Sequence, residues 1–326
     1  MAAALGDMLP WVLALVGAAL ATGLLLALGA RRANALGRRE APACFRAAPD
    51  LAPGAPELRL TFLGDLQRGV SDVVRPLARE LERRGSHLLV SSGDFAAHGE
   101  APYYGTAFDA FEAAGIRTPS RVVPGNHDLQ ARGSHDATAG TALFEQRLGP
   151  RSWALRAGPV LLVGLDNALG GPPPERLDWL STALAAHAGV PWLLVCHRPP
   201  RRVDLPGSPA DDGQSDLVTF LEAHPPRLVV SGHLHEWAEG TVNGVAYVVN
   251  AHGGDVHGFD LRLGSFELLH VVVAPEGVRR ERSTHRRRPW LRVFGNQFFV
   301  RCWSLGRRGL ARGLLRPWQW MAGGRV

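Results

Sequence analysis

Apolar residues in the middle of the chain fall into short runs that alternate with amphipathic stretches. Two stretches, "VSDVVRPLARELERRG" and "PPERLDWLSTALAAH", have the three-to-four-residue apolar spacing of helices. After residue 227 the runs follow one another closely, separated by glycine turns. The pattern predicts an α/β domain with two facing sheets and helices outside. The predicted strands are 58–63, 87–91, 120–123, 159–165, 191–195, 227–231, 245–250 and 266–273.

Five of these apolar runs stop at a carboxylate, amide or imidazole side chain, usually just after a glycine. The segments are "LTFLGDLQ", "LLVSSGD", "RVVPGNHD", "WLLVCH" and "RLVVSGHLH". One histidine after a strand is usually structural, but five polar endings indicate a shared site. Open α/β sheets bind ligands at the carboxyl ends of their strands, so we expect these side chains to converge. They are Asp65, Gln67, Asp94, Asn126, His127, Asp128, His197, His233 and His235.

Carboxylate, amide and imidazole groups are typical ligands of Mn²⁺, Fe²⁺ or Zn²⁺ in a mixed oxygen and nitrogen site. A sulfur-bound structural zinc is not indicated, because Cys44, Cys196 and Cys302 lie far apart with no CxxC spacing. The candidate ligands are too many for one ion. Two ions that share one carboxylate are the simplest arrangement.

The series GDxQ, GD, GNHD, H and GHxH resembles the calcineurin-like metallophosphoesterases, in that family's order. The resemblance implies a two-sheet β-sandwich flanked by helices, with a two-metal centre at one end. The ligands that it implies for the first metal are Asp65, Gln67, Asp94 and His235. Those that it implies for the second are the bridging Asp94 with Asn126, His197 and His233.

The same resemblance implies that His127 stays off the metals, near the leaving group, and protonates it or stabilises its charge. Asp128 is expected to orient the His127 ring, and a local cap or turn role is the alternative. The expected reaction is in-line attack on phosphorus by metal-activated hydroxide. Six other basic side chains near the motif loops are individually more typical of solvated loop residues than of phosphate contacts: His98, Arg132, His135, Arg198, His252 and His257.

Gln67 departs from the family pattern, in which most members have Asp-x-His. A glutamine carbonyl is a neutral oxygen ligand and a weaker donor than imidazole, so it favours a hard ion. Mn²⁺ is therefore the expected ion, with Fe²⁺, Zn²⁺ and Mg²⁺ as alternatives. Asp-x-Gln is similar to the manganese-dependent ADP-ribose/CDP-alcohol diphosphatases, but "GHLHEWAEG" does not look like their segment after GHxH.

Charge is distributed unevenly along the chain. The whole chain carries +6, residues 1–56 carry +2 and residues 279–326 carry +12, which leaves −8 for residues 57–278. An acidic catalytic domain repels a polyanion, so nucleic acid is an unlikely partner and a DNA nuclease is disfavoured. Small nucleotidic or lipid-linked phosphoesters fit better.

The stretch "LPWVLALVGAALATGLLLAL", residues 9–28, is uncharged and long enough to cross a bilayer as a helix. A cleaved signal peptide is the alternative, but no lysine or arginine precedes the stretch. By the positive-inside rule, the arginines after it predict a single-pass membrane protein with its catalytic domain in the cytoplasm. These are Arg31, Arg32, Arg38, Arg39 and Arg46.

The sequence thus divides into four parts: an anchor (1–30), a Pro/Ala/Arg-rich linker (31–56), a metallophosphoesterase domain (57–275) and a basic aromatic tail (276–326). The tail is expected either to contact an anionic membrane surface or to be partly disordered. We expect a membrane-anchored, dinuclear phosphohydrolase of a small nucleotidic or lipid-linked substrate. The alternatives are a catalytically weak metal-binding scaffold of the same fold and an ADP-ribose/CDP-alcohol diphosphatase-like pyrophosphatase.

Overall fold

The computed structural model describes residues 2–47, 57–201, 213–250 and 265–286, together with residues 55, 253, 300 and 302–305. All eight predicted strands are present, with ends that differ by no more than two residues. The strands are β1 Leu58–Leu63, β2 Leu88–Ser91, β3 Ser120–Val122, β4 Trp153–Ala157, β5 Val160–Leu165, β6 Trp192–Cys196, β7 Leu228–Ser231, β8 Trp237–Val242, β9 Val245–Asn250, β10 Ser265–Ala274 and β11 Gly277–Arg286.

The helices of the described residues include both predicted ones. The first of these ends at Gly85, whose left-handed φ of 57° closes the helix as its C-cap. The helices are α1 Ala2–Gly37, α2 Ala43–Arg46, α3 Val70–Arg84, α4 Ala101–Ala113, α5 Asn126–Leu129, α6 Thr138–Leu148, α7 Pro174–Ala185 and α8 Ser215–Ala223.

The strands form two sheets, with the orders β11-β10-β1-β2-β3 and β4-β5-β6-β7-β9-β8. In the first sheet β1, β2 and β3 are parallel, and in the second β5, β6, β7 and β9 are parallel. The carboxyl ends of the parallel strands therefore lie along one edge of each sheet. This arrangement brings the loops after β1, β2, β3, β6 and β7 to the same end of the molecule.

Apolar side chains fill three interfaces between the layers. Phe62 and Val90 of the first sheet pack against Val195 and Val230 of the second. The outer face of the first sheet packs on α3 and α4, and that of the second on α7 and α8. Because the central strands are covered on both faces, their sequences are continuously apolar rather than alternating. The predicted two-sheet sandwich with flanking helices is confirmed.

Strand β11 lies beyond the predicted domain boundary at residue 275. It pairs antiparallel with β10 over its whole length, from Ala274↔Gly277 to Ser265↔Arg286. The sheet therefore takes up the first part of the predicted tail. Of the rest, the structure describes only residues 300 and 302–305, and Val300 is buried against the core on the α4 side. The other residues of the predicted tail lie outside the described part of the chain.

Helix α1 contains one stretch, Leu13–Gly37, that is long and apolar enough to cross a membrane, with a mean hydropathy of 2.2. Its C-terminal turn behaves differently, because Ala33 and Leu36 are buried and Leu36 lies against Gly105 of α4. The following α2 also buries Cys44 and Phe45 in the core. Part of the predicted linker is thus packed against the domain.

Candidate metal centre

The predicted site residues come from five strand ends and meet at one end of the sandwich. Asp65 and Gln67 follow β1, Asp94 follows β2, and Asn126 begins α5 just after β3. His197 follows β6, and His233 and His235 follow β7. Each is linked to another predicted residue by a contact described below, so the structure brings together all seven residues predicted as ligands.

One group lies around Asp65. Ligand atoms of Asp65, Asp94 and His235 all lie within 4.8 Å of one another. His235 Nε2 is 3.4 Å from Asp65 Oδ1, and Gln67 Nε2 donates a hydrogen bond of 2.8 Å to Asp94 Oδ2. Gln67 therefore faces the group with its amide, but it presents the nitrogen to Asp94. Half a turn of the amide would exchange that nitrogen for Oε1.

A second group lies on the other side of Asp94. His197 Nε2 is 3.1 Å from Asn126 Oδ1 and 3.5 Å from Asp94 Oδ1. The His197 ring also lies 5.0 Å from that of His233, centroid to centroid. His197 Nδ1 is 3.0 Å from the carbonyl oxygen of Ser92, which holds the proton on Nδ1 and leaves the Nε2 lone pair facing the group.

The backbone at these positions is unusual. Five of the predicted ligands have positive φ angles, an uncommon conformation for residues with side chains that concentrates at functional sites: Asp65 (52°), Gln67 (36°), Asp94 (51°), His233 (75°) and His235 (55°). Two motif glycines allow the close approach of neighbouring loops. A Cβ at Gly93 would lie 2.5 Å from His197 Nδ1, and one at Gly125 would collide with Asp94 Oδ1. The glycines therefore let the ligand loops pack closely.

Two buried carboxylates dominate the electrostatics. Asp65 and Asp94 are 0% and 1% exposed, and their only ion pairs within the described residues are with His235 and His197. Asp65 Oδ1 accepts no hydrogen bond from these residues. Burial raises the pKa of the Asp65 carboxyl, while the adjacent His235 imidazole lowers it. Buried anions need a compensating charge, so the site fits divalent cations.

His127 and Asp128 are placed differently from one another. His127 Nδ1 is 3.1 Å from the carbonyl oxygen of Ala97, which leaves Nε2 free to act on a substrate. The Asp128 carboxylate accepts hydrogen bonds from backbone N–H groups of neighbouring loops, not from the His127 ring. These donors are Phe95 N (3.1 Å), Ala96 N (2.7 Å) and Gly125 N (2.9 Å).

Asp128 is therefore a positioning residue. Asp128 was predicted to orient the His127 ring, but both of its carboxylate oxygens point at the loops that carry Asp94 and Asn126. The contact with the His127 ring is made by the carbonyl oxygen of Ala97 instead. Burial raises the pKa of the Asp128 carboxyl to about 7, with Asp94 acting in the same direction.

Asn167, which no motif revealed, holds the loop after β6. Its Oδ1 accepts hydrogen bonds from the backbone N–H groups of His197 (2.9 Å) and Arg198 (3.0 Å), and its Nδ2 donates to Gln214 Oε1 (3.0 Å). Asn167 is 2% exposed. It follows an apolar strand, as the other site residues do. That position is the one feature of the sequence that could have identified Asn167 as a site residue.

An aromatic series leads away from His127. His98 lies 5.7 Å from the His127 ring and 4.9 Å from Tyr103, and Tyr103 lies 6.4 Å from Trp303 near the C-terminus. Burial lowers the pKa of His98 to about 3, so it stays neutral beside His127. Part of the C-terminal region thus lies beside the wall of the site, which the sequence did not predict.

Three of the other basic loop residues are described, and they do not meet at the site. Arg132 donates to Ser304 Oγ (3.3 Å) and Arg198 Nε to the carbonyl oxygen of Ala168 (3.0 Å). His135 is exposed. His252 and His257 lie outside the described residues.

Comparison with known proteins agrees with this geometry. The calcineurin-like phosphoesterase family matches residues 58–237, more than half of the chain. No curated protein matches the sequence.

Two solved structures share the fold. Purple acid phosphatase PPD1 from yellow lupin (Lupinus luteus) seeds is 14% identical with a TM-score of 0.52, and the match covers 68% of this chain and 50% of that one. GAP50, the anchor in the inner membrane complex of Plasmodium, is 13% identical with a TM-score of 0.51, and the match covers 71% and 88%. The chain therefore belongs to the calcineurin-like phosphoesterase family and is a metal-dependent phosphoester hydrolase.

Proposed function

We propose that the protein is a membrane-anchored phosphohydrolase with two divalent metal ions, which cleaves a phosphoester or pyrophosphate bond of a small nucleotidic or lipid-linked substrate. The observation that carries this proposal is the pair of buried carboxylates, Asp65 and Asp94, with imidazole and amide groups around them and no arginine ion pair within the described residues.

The ligands divide into two positions that share Asp94. The first metal position consists of Asp65, Gln67, Asp94 and His235, and the second of Asp94, Asn126, His197 and His233. Gln67 would bind through Oε1 after its amide turns, and this ligand set favours Mn²⁺. When bound, the two ions supply charge neutralisation at the phosphate and activate the attacking water.

The chain's own groups place and protonate the substrate. His127 is held through Nδ1 by Ala97, which leaves its Nε2 available, and in the doubly protonated ring this nitrogen would pass its proton to the leaving oxygen. Asp128 keeps the loops of Asp94 and Asn126 together through its backbone hydrogen bonds. The neutral ring of His98 packs beside His127 and limits its movement.

Charge and the proposed membrane location support this substrate class. Residues 57–278 carry a net charge of −8, which disfavours a polyanionic substrate such as DNA. A small substrate has little negative charge outside the metal centre, so the negative charge of this domain repels it only weakly. The apolar helix at the N-terminus favours a substrate at a membrane, such as a phospholipid head group or a nucleotide-activated lipid.

The experiment is a hydrolysis panel with added Mn²⁺ on the full-length chain in detergent. The substrates are bis(p-nitrophenyl) phosphate, p-nitrophenyl phosphate, ADP-ribose, a CDP-alcohol and a UDP-linked lipid, with Asp94→Ala as the inactive control. We expect Mn²⁺-dependent turnover of at least one substrate. Hydrolysis of ADP-ribose or a CDP-alcohol alone would select the diphosphatase alternative. Metal binding without any hydrolysis would contradict the proposal and favour the scaffold.

The cytoplasmic orientation is a separate proposal. Two of the arginines behind it, Arg32 and Arg39, pair with Asp109 of α4, so they also fasten the helix to the domain. The test is a reporter that is active only after export, fused at residue 326. We expect no signal, and a strong signal would reverse the orientation.

A further inference from the structure

A groove outside the metal centre is lined by four arginines. It has a volume of about 760 Å³ and lies where the segment after α1 meets β3, the end of α6 and the start of β4. Its basic residues are Arg38, Arg46, Arg121 and Arg147. We call this feature the arginine groove.

The acidic residues of the groove do not neutralise it. Glu40 pairs with Arg46 at 3.0 Å, and Glu145 pairs at 3.0 Å with Arg151, which does not line the groove. Within the described residues, Arg38, Arg121 and Arg147 have no ion pair with a carboxylate. The groove therefore carries uncompensated positive charge.

Backbone carbonyl groups hold two of these guanidinium groups in place. Arg121 Nη1 donates to Ala47 O (3.0 Å) and Ser120 O (2.9 Å). Arg147 donates to the carbonyl oxygens of Gly37 (2.8 Å) and Arg39, and its buried Nε has no hydrogen-bond partner among the described residues. Fixed guanidinium groups with spare donors are suited to a phosphate.

The position of the groove suggests where such a phosphate would come from. Arg38 directly follows α1, which ends at Gly37. Arg31 is the first charged residue after the apolar stretch, and the helix axis rises about 9 Å from Arg31 to Gly37. That distance is close to the depth of one head-group layer, about 5–8 Å. The buried Leu36 fixes the helix to α4, so the groove keeps its place relative to the helix.

Apolar side chains line the groove together with the arginines. Phe45, Val122 and Trp153 are among its lining residues and are almost fully buried. Guanidinium groups next to apolar side chains match a phosphate joined to a glycerol and acyl chains better than a free ion. We propose that the arginine groove binds the phosphate of an anionic phospholipid head group at the membrane surface, an inference that rests on the proposed anchoring of the chain by α1.

The test uses the full-length chain in a neutral detergent and measures thermal unfolding during titration with dioctanoyl phosphatidylglycerol. Dioctanoyl phosphatidylcholine and inorganic phosphate are the comparison ligands. We expect phosphatidylglycerol to raise Tm saturably, with the other two well behind. An equal rise with inorganic phosphate would overturn the lipid assignment, and an equal rise with phosphatidylcholine would overturn the role of net charge.

Variants locate the binding. Arg121→Gln should raise the half-saturating lipid concentration about tenfold, the cost of one charge-assisted hydrogen bond. Arg38→Gln, on an exposed residue that the fold does not need, should weaken binding in the same direction. Arg227→Gln, also exposed but outside the groove, should leave the titration unchanged. A Tm rise that both groove variants keep in full would place the lipid elsewhere, the metal centre included, and contradict the proposal.

Discussion

The two proposed metal positions differ in how firmly the fold holds some of their side chains. In the second, His197 is fully buried, its Nδ1 contacts Ser92 and its backbone N–H is held by Asn167. In the first, the His235 side chain is 21% exposed, and the Gln67 amide donates a hydrogen bond to Asp94. Both proposed positions share the buried Asp94 carboxylate, so we expect the difference to lie in the other ligands.

We expect the freedom of each side chain, as well as the identity of the ligand, to set the affinity of a metal position. A side chain that already points at the ion loses little conformational freedom on binding, whereas the Gln67 amide must first give up its hydrogen bond and turn. We therefore expect the second position to hold its ion tightly and the first to fill only when metal is supplied.

The largest effect should come from the carboxylate that both positions share. Asp94→Ala removes the shared ligand, so activity should fall below about one thousandth of wild type and metal should be lost from both positions. Metal content and turnover of p-nitrophenyl phosphate measure this. Asp216→Ala, on an exposed aspartate of α8, is the matched control and should change neither. Wild-type activity in Asp94→Ala would refute the shared position.

His127 should affect the rate without affecting either position. His127→Ala removes the proton donor, so kcat should fall about 10²-fold or more for substrates with poor leaving groups. The loss should be smaller for p-nitrophenyl phosphate, because p-nitrophenolate needs little protonation. Metal content should match wild type. Equal losses for both kinds of substrate would mean that His127 has another role.

Asn167 allows the second position to be weakened alone. Asn167→Ala releases the backbone of His197 and Arg198, and loss of such a supporting contact typically costs about 10–100-fold in metal affinity or activity. The tightly held ion should leave faster during chelation, while Mn²⁺ activation of the first position stays as in wild type. Asn167→Asp keeps the acceptor oxygen, so its rate of metal loss should lie between those of wild type and Asn167→Ala. Unchanged chelation kinetics in Asn167→Ala would remove the proposed cause of the asymmetry.

The sequence predicted the fold well where strands are buried on both faces. The central β5, for example, is buried at every residue and reads as one apolar run. It failed at β4, β8 and β11, which end their sheets and have few or no buried residues. The segment "GVRRERSTHR" of β11 resembles a basic tail because its pairing with β10 is not visible in its composition.

The site was predictable where a glycine precedes a polar residue at a strand end. In that pattern the glycine indicates that another loop packs closely against the backbone, and the polar residue is the candidate ligand. It was not predictable where a contact depends on tertiary structure. The Asp128 carboxylate meets backbone N–H groups more than thirty residues away, at Phe95 and Ala96. Trp303 reaches Tyr103 only through the folded position of the C-terminal region.

The most direct test of the unequal positions is metal content and Mn²⁺ activation, measured side by side for wild type and Gln67→His. We expect purified wild type to lack metal at one position and to gain activity as Mn²⁺ is added. In Gln67→His an imidazole replaces the amide, so the first position should bind more tightly, shift towards Zn²⁺ and need several-fold less metal for half-maximal activation. Identical metal contents and activation curves for the two proteins would contradict the account, because Gln67 would then not be a ligand.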